Sequence, residues 1–176
     1  RSLRWLPGLL AAGPKARFSA ADLFERRARR SPLHPFVRFE GRSFDYGEAN
    51  TAANRIAHWA LERGVRPGQT VALLMQNRPE YLFAWLGIAK AGATTALLHA
   101  GARGPALTHA LRESGARLLL VGAECVEALA SIEPELYAQL EIHGVCDPAQ
   151  PGLALPLGAK SLDEESAGMS PWNPDR

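Results

Sequence analysis

"NRPEYLFAWLGIAKAGATTALLHAGARG" (residues 77–104) is the stretch on which the fold depends, because from Tyr81 to Ala102 its strongly polar members are only Lys90, two threonines and His99. It reads either as a membrane span or as a buried helix and strand in quick succession. About 20 apolar residues rising ~1.5 Å each cross the hydrocarbon core of a bilayer, so length fits both. Lys90 near the middle would cost about 2.5–3.5 kcal/mol on insertion scales. Gly87, Gly92 and the adjacent Thr94 and Thr95 further weaken a continuous spanning helix. The alternative uses the same residues without strain. Asn77 caps a helix whose first turn holds Pro79 and Glu80, where proline is tolerated and a glutamate is favoured. Tyr81, Trp85 and Ile88, with Leu82, Leu86 and Ala89, then lie on neighbouring faces, Lys90 meets the negative end of the helix dipole, and Gly92 closes the helix in the left-handed region. Thr94 to Leu98 is β-prone and has the length of a buried strand. The expectation is a helix ending at 91 followed by a strand, with no transmembrane span.

Working outward, 176 residues with 47% apolar and 22% charged content suit one globular unit with a sizeable core. Cys125 and Cys146 are isolated, and His34, His58, His99, His109 and His143 show no metal-ligand spacing. Neither a disulfide framework nor a zinc site is expected, and a reducing, cytoplasmic compartment is. The opening "RSLRWLPGLLAAGPKARF" starts at Arg1. Its apolar piece of about six residues is short for a signal-peptide core. Residues 1–18 are read as an N-terminal extension, and the whole as a piece of a longer chain.

The net charge of +2 hides an asymmetry: residues 1–70 hold 13 basic and 6 acidic side chains, whereas residues 71–176 hold 7 and 12. "ERRARRSP" (25–32) is the densest basic run. It is either a solvated helix face or a contact for anionic lipid or another acidic surface. Nucleic acid is disfavoured, because no stacking aromatics alternate with the arginines.

Ser19 and Asp22 open a short helix closed before Pro32. "PFVRFEGRSFDYGEAN" (35–50) gives two short strands turning at Glu40 and Gly41, after which Asp45 and Glu48 form a capping-box pair. Ala49, Ala52, Ala53, Ile56, Ala57 and Ala60 follow a helical repeat that Gly64 ends. Strands at Thr70–Met75, Thr94–Leu98, Arg117–Val121 and Leu140–Val145 then alternate with helices from Arg78, at Pro105–Ser114 and near Cys125–Ala130. Apolar runs such as "VALLM" and "RLLLV" suit strands covered on both faces, and the alternation implies a parallel sheet with right-handed crossovers. The fold class is thus α/β, with a helix and a β-hairpin preceding the parallel sheet. Residues 19–147 form the α/β unit. Residues 148–176, rich in proline, glycine and acidic side chains, read as loop or linker.

Catalytic motifs are scarce: the chain has no G-x-x-x-x-G-K-[ST] loop, no G-x-G-x-x-G, no G-x-S-x-G and no H-E-x-x-H. The one site-like feature is "HAGARGPALTHAL" (99–111), a strand end followed by two glycines and Arg103 before a helix. It is either a tight turn with Arg103 as a solvated flank, or a place where backbone N–H groups and a cation meet phosphate. His99 and His109 read as partly buried polar residues rather than catalytic bases, and Tyr81 and Trp85 as core or subdomain-contact aromatics, the alternative being the lining of an apolar pocket.

Three signatures in this order, "SFDYGEANTAANRIAHWA", "GVRPGQTVALLMQNRPEYLFAWLGIAKAGA" and "ARGPALTHALRESGARLLLV", resemble the N-terminal part of AMP-forming acyl-adenylate ligases, in the fatty acid transport protein and very-long-chain acyl-CoA synthetase branch. The resemblance covers roughly residues 20–145. It implies a two-step ligase that joins ATP and a fatty acid into an acyl-adenylate with release of pyrophosphate, and then transfers the acyl group to CoA, with Mg as the metal. The phosphate loop, later nucleotide motifs and catalytic lysine of such ligases do not lie in these residues, so this chain alone is expected to be inactive and no catalytic residue or metal ligand is assigned. Arg103 alone carries over, as a contact to CoA phosphate, although "HAGARG" lacks the asparagine and leucine usual beside that arginine. The resemblance also leaves open peripheral membrane contact. The alternatives to the ligase reading are a non-catalytic lipid- or acyl-CoA-binding module and an inactive remnant.

Overall fold

The computed structural model describes residues 19–155 and 158–175, so the extension 1–18 lies outside the described residues. Helix α1 (Ala20–Arg30) leads into the antiparallel hairpin β1 (Pro35–Phe39) and β2 (Arg42–Asp45) and then α2 (Tyr46–Glu62). Strands β3 (Thr70–Leu74), β4 (Thr94–Leu98), β5 (Leu118–Gly122), β6 (Glu141–Val145) and β7 (Lys160–Ser161) alternate with α3 (Pro79–Lys90), α4 (Gly104–Ser114), a 3-10 helix (Ala123–Ser131) and the short α5 (Pro134–Tyr137). Helix α6 (Leu162–Ala167) follows β7. No described helix is long and apolar enough to cross a membrane.

All five strands of the sheet are parallel, in the order β4-β3-β5-β6-β7. The connection from β3 to β4 runs one way across the sheet, and those from β4 to β5 and β5 to β6 run the other. Right-handed crossovers therefore require α3 on one face and α4 with the 3-10 helix on the other. The side chains obey this. Val71, Leu73, Leu118 and Leu120 pack with α2 and α3, whereas the alternate residues Ala72, Leu74, Leu119 and Val121 pack with Leu107 and Leu111 of α4 and with Ala128. Helices α2 and α3 approach so closely that a Cβ at Gly87 would lie 2.7 Å from Ile56 Cβ and 2.9 Å from Ala53 O.

Local chemistry explains the boundaries. Both expected capping boxes form, Ser19 with Asp22 and Asp45 with Glu48. The hairpin turns on Glu40 (φ 48°) and Gly41 (φ 78°), two left-handed residues in sequence, which match the twist of the flanking strands. Gly92, at φ 80°, closes α3 as expected.

Several expectations are corrected. The N-cap of α3 is Arg78, not Asn77, and its side chain makes no cap hydrogen bond, so Pro79 occupies the first helical position. Strand β4 is a sheet edge rather than a buried strand, and Leu97 is 52% exposed. The helix expected near Cys125–Ala130 is present, as a 3-10 helix over Ala123–Ser131. His99 and His109 are exposed, because one lies past the end of the edge strand and the other on the outer face of α4. Lys90 lies in the last turn of α3, as the dipole reading expects, but its side chain turns inward. It is fully buried, with Nζ 2.8 Å from both Glu25 Oε1 and Asn50 Oδ1 and 3.2 Å from Asn173 Oδ1. Lastly, the region read as loop after Asp147 contains β7 and α6, and residues 171–173 lie along α2: Asn54 donates to Pro171 O at 2.7 Å, His58 bonds Trp172 O at 3.0 Å, and Asn50 donates to Asn173 at 3.2 Å.

Candidate functional site

Because α3 leaves β3 toward one face and the 3-10 helix leaves β5 toward the other, the adjacent carboxyl ends of β3 and β5 form a topological switch point, where open α/β sheets usually hold ligands. In this protein the switch point is filled by its own side chains. Arg78 Nη2 lies 3.3 Å from Glu124 Oε2 and donates to Val145 O at 3.0 Å, while Nη1 donates to Cys146 O at 2.9 Å and to Glu80 Oε2 at 3.1 Å. The backbone N–H of Gln76 donates to the other Glu124 oxygen at 2.8 Å, and Arg42 reaches the other Glu80 oxygen at 2.6 Å. The cluster therefore ties the ends of β3, β5 and β6 to the hairpin. Its chemistry is structural: both carboxylates are held as acceptors by guanidinium and amide donors.

Arg103 sits on the loop from β4 into α4, beside this cluster, and is exposed. Its Nη1 donates to the carbonyls of Ala100 and Ala102, both at 2.8 Å, so the side chain curls over its own loop. The loop amides are also engaged: Gly101 N donates to His99 Nδ1 at 3.1 Å, Ala102 N to His99 O at 2.8 Å, and Gly104 N to Ser131 Oγ at 2.7 Å. A backbone cradle for phosphate is thus already satisfied internally. The Arg103 guanidinium keeps Nη2 and Nε without a protein partner among the described residues.

Cys125 lies between the loop and the cluster. Burial, and then the Glu124 carboxylate, push its thiol up, while Arg103, Arg78 and a hydrogen bond from the Gln76 backbone pull the other way. The net rise makes it an inert buried thiol rather than a nucleophile. Tyr81 and Trp85 are half-buried against the α2–α3 core, in line with the expectation of core aromatics.

A second polar cluster closes the far side of α2. His143, buried with no exposure, has Nε2 3.0 Å from Glu141 Oε1 and Nδ1 2.9 Å from Glu165 Oε2, and packs edge-on against Trp59 at 4.8 Å. Trp59 Nε1 donates to Glu165 at 2.9 Å, and Arg63 bonds both glutamates. Hydrogen bonding from His143 holds the Glu141 carboxyl below the usual carboxylate range, against the opposing effect of burial. Burial would raise Glu165, but the Trp59 N–H and the charges of His143, Arg63 and Lys160 outweigh it and keep this carboxyl low as well. These contacts pin α6 to α2 and β6. They are missed by sequence reasoning because Glu165 lies 106 residues from Trp59, and no periodic signal links them.

Comparison with known proteins agrees with the geometry. A family model described as AMP-binding enzyme matches residues 24–174. Over 154 residues the chain is 34% identical to long-chain fatty acid transport protein 6 of Homo sapiens, covering 87% of this chain and 24% of that protein. It is likewise 34% identical over 125 residues to the medium/long-chain-fatty-acid–CoA ligase FadD6 of Mycobacterium tuberculosis, covering 71% of this chain and 21% of the relative. The chain therefore spans less than a third of the length of these curated relatives. In fold it is similar to an anthranilate CoA ligase bound to anthranoyl-AMP, with a TM-score of 0.78, 22% identity and coverage of 88% and 29% of the two chains. It is also similar to the N-terminal domain of FACL13 from Mycobacterium tuberculosis, with a TM-score of 0.71, 22% identity and coverage of 89% and 37%. With the switch-point sheet, the preceding helix and hairpin, and this family match in hand, the chain belongs to the AMP-binding enzyme family of acyl-CoA ligases and corresponds to an N-terminal part of its members.

Proposed function

We propose that this chain is the N-terminal part of a fatty acyl-CoA synthetase that activates a long-chain fatty acid with ATP and passes the acyl group from the adenylate to CoA. The observation that carries the reading is the 34% identity, over most of the chain, to fatty acid transport and fatty acid–CoA ligase relatives. Residues 19–147 act as the α/β scaffold, 1–18 as an extension, and 148–176 as the passage toward a nucleotide-binding part, pinned on α2 as it goes. ATP, CoA and magnesium belong to the complete enzyme; bound CoA supplies the acceptor thiol. Within this chain Arg103 is the residue proposed to meet CoA, as an exposed cation offering free guanidinium donors to a phosphate. The enzyme is placed in the cytoplasm, in peripheral contact with a membrane from which long-chain fatty acids are drawn.

The test is fatty-acid-dependent ATP–pyrophosphate exchange and CoA thioester formation by the gene product that carries this chain, beside the 176-residue chain alone. Activity is expected in the former and none in the latter. Absence from the former overturns the ligase reading, and exchange by the chain alone overturns the division of labour. In the active protein, Arg103→Gln should raise KM for CoA several-fold with the exchange rate unchanged.

A further inference from the structure

Helix α1 buries one face and leaves the opposite one outside. Ala21, Phe24, Glu25 and Ala28 are buried, and half a turn away Leu23, Arg26, Arg27 and Arg30 follow i, i+3, i+4, i+7 on the outer face. Leu23 is 52% exposed, and Leu33, in the turn just beyond the helix, is 84% exposed. Leu23 thus sits with three arginines on one outward stripe, and Leu33 stands exposed in the turn that follows, beside the start of α2. None of these arginines has an ion-pair partner among the described residues.

The neighbouring carboxylates are committed elsewhere. Asp22 accepts from Ser19 at the helix start, Glu25 is buried against Lys90, and Asp45 and Glu48 close the capping box of α2. The Arg27 guanidinium lies 5.7 Å from the centre of the Tyr46 ring. The stripe is therefore a cationic surface with an apolar tip and no ion-pair partner among the described residues.

We propose that this stripe is where the protein rests on an anionic lipid bilayer, with Arg26, Arg27 and Arg30 meeting headgroup phosphates and Leu23 and Leu33 dipping to the acyl boundary. Charge complementarity selects an anionic surface, and the two exposed leucines select lipid over nucleic acid, since no aromatic on the stripe is free to stack on bases. This deepens the peripheral-contact part of the reading above. It is independent of adenylation, so its failure and that of the ligase reading are told apart by separate assays.

The experiment is flotation of the 176-residue chain with vesicles of phosphatidylcholine alone and of equimolar phosphatidylcholine and phosphatidylserine. Binding is expected to the anionic vesicles at low salt and to be largely lost at high salt, with little binding to the neutral ones. Arg26→Gln with Arg30→Gln should lower partitioning on the order of 30-fold, about fivefold per arginine. Leu23→Ser with Leu33→Ser should also weaken it, with the circular dichroism spectrum unchanged. Heparin serves as a non-lipid polyanion: binding there that the leucine variant leaves intact, while vesicle binding is absent, overturns the proposal in favour of an acidic macromolecule. Equal binding to neutral and anionic vesicles, or no loss on removing the arginines, overturns it too; the wild-type salt and lipid comparisons decide even if a variant fails to fold.

Discussion

Replacing Arg78 with methionine tests whether the switch point is held by charge or merely filled. Methionine keeps most of the apolar stem, so the change removes the guanidinium with little cavity. Arg78 is 4% exposed, Glu124 5% and Glu80 13%, so the carboxylates left behind have little water to turn to. Breaking a buried ion pair by deleting one partner costs about 3–5 kcal/mol, mainly from the stranded charge. The carbonyls of Val145 and Cys146 lose charged donors in the same step. With a urea slope of about 2 kcal/mol/M, a loss of 3–5 kcal/mol moves the unfolding midpoint down by about 1.5–2.5 M. Adding Glu124→Gln neutralises one stranded carboxylate, so the double variant should recover more than about 1 kcal/mol relative to the sum of the two single changes. Equilibrium urea unfolding followed by tryptophan fluorescence gives these values directly. A shift below about 0.5 M for Arg78→Met, with strictly additive behaviour in the double variant, would refute the view that the cluster clamps β3, β5 and β6.

Two further outcomes follow from the packing and from the second cluster. Gly87→Ala gains about 1 kcal/mol of helix propensity but forces a Cβ against Ile56 and the Ala53 carbonyl, where overpacking costs about 1–3 kcal/mol and the backbone oxygen cannot swing aside. A net loss and a lower Tm are expected, and an unchanged or raised Tm would show that α2 and α3 separate freely. Glu141 and Glu165 are both held below the usual glutamate value of 4.5. Between their folded values and 4.5 the unfolded chain binds more protons, so their stabilisation is present above 4.5 and is lost as pH falls through the folded values. Stability measured against pH should therefore drop on the acid side, and Glu165→Gln should flatten that drop; an identical acid profile in wild type and variant would show that α6 is held by other contacts.

The α/β class, the hairpin turn, both capping boxes and the positions of β3 to β6 were legible in the sequence, because each rests on local chemistry or a short period: capping residues three apart, left-handed residues in a turn, apolar runs of strand length. The family resemblance was legible for the same reason, since it lies in contiguous signatures. Lys90 shows where local reading stops. At the end of a helix it satisfies the dipole rule, yet it is buried among Glu25, Asn50 and Asn173, residues that only the fold brings together. Arg78 reads in the sequence as the start of a helix and in the fold clamps three strand ends, and within 148–176, read as linker, residues 160–173 form a strand, a helix and a strap on α2. Arg103 was legible as an exposed cation after a strand, but only the structure showed that its loop amides are already bonded and that its Nη1 curls back onto its own loop carbonyls. Sequence by itself determined which elements form from α1 to β6, because their causes act within a turn or a strand; tertiary structure decided that 160–167 folds onto the sheet and which charges are buried and paired, because that depends on residues brought within 3 Å across more than 60 positions of chain.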